Sequence, residues 1–206
     1  MHQRIRTSLV IAATLVAFGV TVALGGAPAQ AASKAEMNVA DQPGYVPSPA
    51  EEKVAPEYLP QPVFFRTTEP PGTVVIHTDE RFLYVVQAGG RAIRYGIGVG
   101  RQGFTWQGQL KISRKEQWPD WRPPPEMIER QPYLPRFMAG GPGNPLGARA
   151  LYLGSTEYRI HGTNQPQTIG QAVSSGCFRL ANPQVIDLFD KVPVGTRVVI
   201  LQAAKL

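Results

Sequence analysis

The sequence predicts a mostly β domain carried behind two segments that do not belong to its core. Three observations support this. Short runs rich in Val, Ile, Tyr and Phe alternate apolar with polar residues and are punctuated by Gly, Pro and Asp turns. One stretch alone carries helical spacing behind a start signal. The 206 residues include 21 Gly and 20 Pro, far more breakers than a helical bundle tolerates.

The first 31 residues read as an export signal. Arg4 and Arg6 form a positive n-region, Leu9 to Leu24 is apolar, and Ala29-Gln30-Ala31 is a small-residue cleavage site. An uncleaved anchor is the alternative for this run; its small-residue ending favours cleavage and a mature form that does not span the membrane. Residues 32–63 read as a flexible Pro-rich linker, with Pro43, Pro47, Pro49, Pro56, Pro60 and Pro62 among small and charged residues. They hold two Lys/Arg against five Asp/Glu, whereas residues 64–206, the folded domain, hold seventeen against ten. An acidic tether before a basic domain suits an exported protein that meets an anionic wall or envelope. No run of like charges interleaved with aromatics supports nucleic-acid binding.

Within the domain, Thr73 to His77 and Arg81 to Val86 flank Thr78-Asp79-Glu80, a hairpin. Gln87-Ala88-Gly89-Gly90 turns into a strand from Arg91 to Val99, and Gln107 to Ser113 is a further strand. Residues 118–149, with Trp118, Trp121 and Pro123-Pro124-Pro125, form an irregular insertion whose tryptophans either wall a cleft or pack the insertion itself. Strands resume at Ala150 to Leu153, Tyr158 to His161 and Gly195 to Leu201. The helix is Pro183 to Lys191, with Asn182 expected as its N-cap and Val185, Ile186, Leu188 and Phe189 on its apolar face. Gly98-Val99-Gly100-Arg101-Gln102-Gly103 has dinucleotide-motif spacing, but no helix is expected to follow, so these are read as turn glycines. No cofactor is expected, and the mature chain's one Cys with two distant His, His77 and His161, gives no metal site.

The chemistry points to Cys177, the only cysteine, sixteen positions after His161. Alone, such a cysteine is either a buried hydrophobe or a reactive thiol, and such a histidine is more often structural. Together, with glycines and Arg179 beside them, they suggest a cysteine acyltransferase: the imidazole handles the proton and is expected to depress the thiol pKa, and the Gly176 and Cys177 amides lie beside the substrate carbonyl.

His161-Gly162-Thr163-Asn164, then Ser174-Ser175-Gly176-Cys177-Phe178-Arg179-Leu180 and Asn182, resemble the signature of the YkuD-type L,D-transpeptidases. The resemblance runs from about Pro71 to Leu201 and departs from many members at Ser175, where they carry histidine. It implies the family's mixed β-sheet or β-sandwich fold with a few short helices. It also implies Cys177 as nucleophile, His161 as base and acid, the Gly162 carbonyl orienting His161, and Gly176 as an oxyanion N–H donor. Arg179, Ser175, Thr163 and Asn164 are the candidate substrate-binding residues, although Arg179 suits a structural ion pair equally well. Peptidoglycan stem peptides are the implied donor, with a second stem or an envelope protein as acceptor, in the periplasm or cell envelope. A hydrolase acting on the same bonds and a non-catalytic wall-binding module are the alternative readings.

Overall fold

The described residues form eleven strands and two short α-helices, most of the longer ones where the patterns above place them. The computed structural model describes residues 43–50 and 52–202, so the expected signal and the start of the expected linker lie outside the described residues. The first half holds β1 (Gln61–Phe64), β2 (Val74–His77), β3 (Phe82–Gln87), β4 (Arg91–Gly96) and β5 (Val99–Gly100). After β6 (Gly108–Gln117) and α1 (Pro125–Arg130) come β7 (Arg149–Leu153), β8 (Arg159–His161), β9 (Ala172–Ser174), β10 (Phe178–Arg179), α2 (Asn182–Lys191) and β11 (Arg197–Leu201). Nine strands make one sheet in the order β1-β4-β3-β2-β11-β6-β7-β8-β10, and β5 pairs with β9 separately.

The long strand β6 joins the two halves of that sheet. Its first residues pair antiparallel with β11 and its later ones with β7, with a register shift between Ile112 and Arg114. Such an irregularity bends a strand and raises its twist. The main core includes Val74, Ile76 and Leu83 from one half, Ile112, Leu151, Ile160 and Phe178 from the other, and Val185 and Leu188 of α2. The expected mostly β fold with few short helices is the one observed.

Three expectations are corrected. Where it is described, the 32–63 segment is not a free linker. β1 pairs antiparallel with β4, and Tyr58 lies against Gly96 and Gly170 with its ring 5.7 Å from that of Phe82. Further upstream, Gly44 N–H donates to Gly143 O at 2.9 Å and Asn164 Nδ2 to Tyr45 O at 3.0 Å. Pro62 is tolerated because β1 is an edge strand, where a missing N–H costs no ladder bond. The 118–149 insertion is not structureless either. Pro125 opens α1, and Trp121, Leu134 and Leu146 form a small core of their own. Asn144 organises it, its Nδ2 donating to Pro119, Met138 and Ala139 carbonyls and its Oδ1 accepting from Leu146 N–H. Trp121 therefore packs the insertion, while Trp118 is 42 % exposed. Finally, Asn182 does not cap α2, since Ala181 holds the cap position and the Asn182 side chain is used elsewhere. Among the described residues, no helix is long and apolar enough to cross a membrane.

Candidate active site

The pairing of two very short strands lays the histidine's strand beside the segment that carries the cysteine. β10 pairs parallel with β8, Phe178 opposite Ile160 and Arg179 opposite His161, and Leu180 N–H donates to His161 O at 2.8 Å. Ile160 and Phe178 are sealed in the core. Because side chains alternate along a strand, Arg159, His161 and Arg179 face the other way, and Cys177, just before β10, has its thiol directed to Glu157 O, two residues before Arg159. That face lies beneath the insertion.

His161 is 5 % exposed, with Nδ1 2.6 Å from Gly162 O. A carbonyl can only accept, so Nδ1 carries the proton and Nε2 is left as the basic nitrogen. Burial pushes the imidazole pKa down to about 3; the Arg179 guanidinium adds to this, and the Gly162 carbonyl opposes it. Gly162 must be glycine, since a Cβ there would overlap Asn182 Oδ1 and stand 2.9 Å from Ala148 N. The same Asn182 Oδ1 accepts from Ala148 N–H at 2.9 Å and Thr163 N–H at 3.3 Å, tying α2, the end of the insertion and the histidine loop together.

Ser174 and two aromatics shape the cysteine loop. Ser174 Oγ donates to Cys177 O at 2.6 Å and accepts from Gly176 N–H at 3.2 Å. Trp106 Nε1 donates to Gly176 O at 3.0 Å, and its ring stacks on Tyr158 at 4.4 Å. Gly176 has φ +103°, and a Cβ there would stand 2.6 Å from Tyr158 Cε1, so no other residue fits. The thiol's own hydrogen bond runs to Glu157 O at 3.8 Å.

Several site expectations need revision against this geometry. The Gly176 amide is turned to Ser174 Oγ and not into the cleft, which leaves the Cys177 amide as the oxyanion-donor candidate. Thr163 and Asn164 are 2 % and 0 % exposed. Their side chains serve the protein's own backbone, Thr163 Oγ1 accepting from Gln165 N–H and Asn164 Nδ2 donating to Tyr45 and Gly143 carbonyls, so neither faces a substrate. Ser175 Oγ accepts from Arg130 Nη2 of α1 at 3.4 Å, and Arg179 Nη1 donates to Gln165 Oε1 at 3.1 Å. The thiol pKa is raised, not lowered: burial pushes it up, and Arg159 and then Arg179 pull against that without overcoming it. An imidazole held neutral cannot supply the opposite charge that depresses a thiol.

Sequence reading gave Trp106 and Arg159 no part in this site, and quoted Ser174 and Asn182 in the signature without a role there. Asn182 sits where a cap belongs, so a local role hid its long-range one. Nothing in periodicity marks Trp106, whose partner Gly176 is seventy positions away.

Residues 71–200 match the YkuD family model, described as the L,D-transpeptidase catalytic domain. The protein named Probable L,D-transpeptidase ErfK/SrfK, from Escherichia coli, is 38 % identical over 151 residues, covering 69 % of this chain and 48 % of its own length. The chain spans about half the length of the curated relatives it matches. Among solved structures, the Ldtfm-avibactam carbamoyl enzyme overlays with a TM-score of 0.53 at 17 % identity, over 66 % of this chain and 51 % of that one, a likeness of fold alone. A chain from Brucella melitensis described as a probable carnitine operon oxidoreductase is 51 % identical over 73 % of this chain and 98 % of its own. Its TM-score is 0.49, and that likeness carries no weight for the chemistry.

Proposed function

The chain belongs to the L,D-transpeptidase family, and from that premise we propose that it transfers peptidoglycan stem peptides through an acyl-enzyme on Cys177. The observation that supports the proposal is the β8–β10 pairing, in which His161 runs beside the segment that carries Cys177, with Nδ1 of the imidazole bonded to Gly162 O and Nε2 left to accept a proton. In the proposed reaction, Cys177 Sγ attacks the carbonyl of the third residue of a tetrapeptide stem as its proton passes to His161 Nε2. The Cys177 amide holds the oxyanion. The bond to the terminal D-alanine breaks, His161 returns the proton to the leaving amine, and a thioester remains. An acceptor amine, from a second stem or an envelope protein, then attacks the thioester carbonyl, and its proton returns through His161 to Sγ. Arg179 and Ser175 are the residues proposed to meet the stem. Export by residues 1–31 and a periplasmic or cell-envelope site of action belong to the same proposal.

The test is to incubate the purified protein with tetrapeptide muropeptides and weigh the products. Loss of one alanine with dimer formation is the expected result. Tripeptide with no dimer would identify a hydrolase, and unchanged substrate would refute acyl transfer on these stems.

A further inference from the structure

We propose that Arg159 is the cation that stabilises the Cys177 thiolate, and so is a catalytic residue of the acyl transfer. The inference rests on the acyl-transfer reading above. Its first support is position: Ile160 opposes Phe178, so Arg159 and Cys177, the residues just before each, adjoin at the start of the β8–β10 pair, and Cys177 Sγ reaches Glu157 O, two residues before Arg159, at 3.8 Å. The second is an available charge. The carboxylate that Arg159 meets is Glu157, at 3.3 Å, and the Glu157 side chain is 79 % exposed, a weak partner in water. Arg159 Nε is buried with no hydrogen-bond partner among the described residues. The third is solvent access: Arg159 lines a cavity of about 250 Å³ with Arg114, Glu116, Asp120 and Arg122, between β6 and the insertion.

His161 does not fill this role, because it is buried and neutral in the resting site. The division of labour is then clear. His161 Nε2 takes the thiol proton and later returns it to the leaving amine, while the Arg159 guanidinium faces the negative charge on Sγ. Burial pushes the thiol pKa up, and Arg159 is the strongest influence pulling it back, ahead of Arg179. Other charged groups near the thiol are Glu157 and His161 on its β8 side, Arg179 on β10 and Arg130 of α1, which reaches Ser175. Arg101 packs over Phe104, and Arg114, Glu116, Asp120 and Arg122 line the cavity that Arg159 shares.

Because Cys177 is the sole cysteine, its titration can be read directly from the ultraviolet absorbance of the thiolate, with Cys177→Ser as blank. Glu157→Gln provides the reference, so that an unmasked carboxylate cannot mimic the effect. Adding Arg159→Met to that background is expected to raise the midpoint by about one unit or more, roughly a tenfold loss of thiolate at any pH below it. Arg159→Lys, which keeps the charge, is expected to retain most of the reference midpoint. Arg159→Gln is titrated as well, because it keeps a hydrogen-bond donor in the cavity should the methionine variant fail to fold. Neutral variants that titrate with the reference overturn the proposal. The titration uses no substrate, so that outcome would leave acyl transfer standing, whereas unchanged muropeptides would refute acyl transfer and leave the titration result intact.

Discussion

A histidine buried without a carboxylate partner sheds its proton well below neutral pH, and His161 is held in that state by burial and by Arg179. The sign of its effect on stability follows. Its folded pKa, about 3, lies below the ordinary 6.5, so between those values the unfolded chain binds the extra proton. Stability from this residue is therefore complete above pH 6.5 and is lost as pH falls toward 3. Between pH 4.5 and 7, denaturant unfolding is expected to show about 2 kcal/mol more gain in wild type than in His161→Gln. Equal gains would mean the ring titrates normally. Cys177→Ala is expected to fold as wild type and to lose turnover by several orders of magnitude, with no thioester seen by mass. Near-normal turnover would remove Cys177 from the mechanism. The identities of both residues were legible from their spacing and flanking glycines. Their charge states were not, because burial and the nearness of Arg159 and Arg179 depend on which strands pair.

Short elements escape sequence patterns for a physical reason. Two residues of β10 carry no period, so only pairing with β8 defines that strand. The longer strands β2, β3 and β7 are marked by their own β-branched and aromatic residues. The segment before Phe64 shows the same limit from the other side. Proline-rich composition reads as a linker, yet an edge strand tolerates Pro62, and Tyr58 packs on two glycines that leave room for its ring. Deleting residues 1–60 is therefore expected to destabilise the domain by about 2–3 kcal/mol, the worth of one largely packed aromatic and its neighbours. For a chain of this size that corresponds to a melting temperature lower by roughly 5–10 °C. An unchanged melting temperature would restore the linker reading. A Tyr58→Ala variant of the full chain is expected to show much of the same loss, separating packing from mere chain length.

At the scale of the whole molecule, one amide holds three distant tracts in place. Asn182 Oδ1 receives N–H groups from Ala148 at the end of the insertion and Thr163 beside the histidine, and α2 carries the residue itself. Asn182→Ala leaves those two N–H groups without their partner and is expected to cost about 1–3 kcal/mol. Turnover is expected to fall further than stability alone explains, because the loop that orients His161 is released. Asn182→Asp keeps an accepting oxygen and is expected to restore much of both, measured by thermal unfolding and by steady-state rates. If the alanine variant keeps wild-type turnover, the clamp does not position the histidine. The sequence by itself determined the mostly β class, the helix near the C-terminus, the candidate site residues Cys177 and His161 and the family resemblance, because each is written in local alternation or in a contiguous motif. Only the tertiary structure decided that Gly176 N–H is occupied, that Thr163 and Asn164 are walls, and that Arg159 stands beside the thiol. Those facts depend on strand register and burial, which arise when segments far apart in the chain compete for the same few hydrogen bonds and the same dry space.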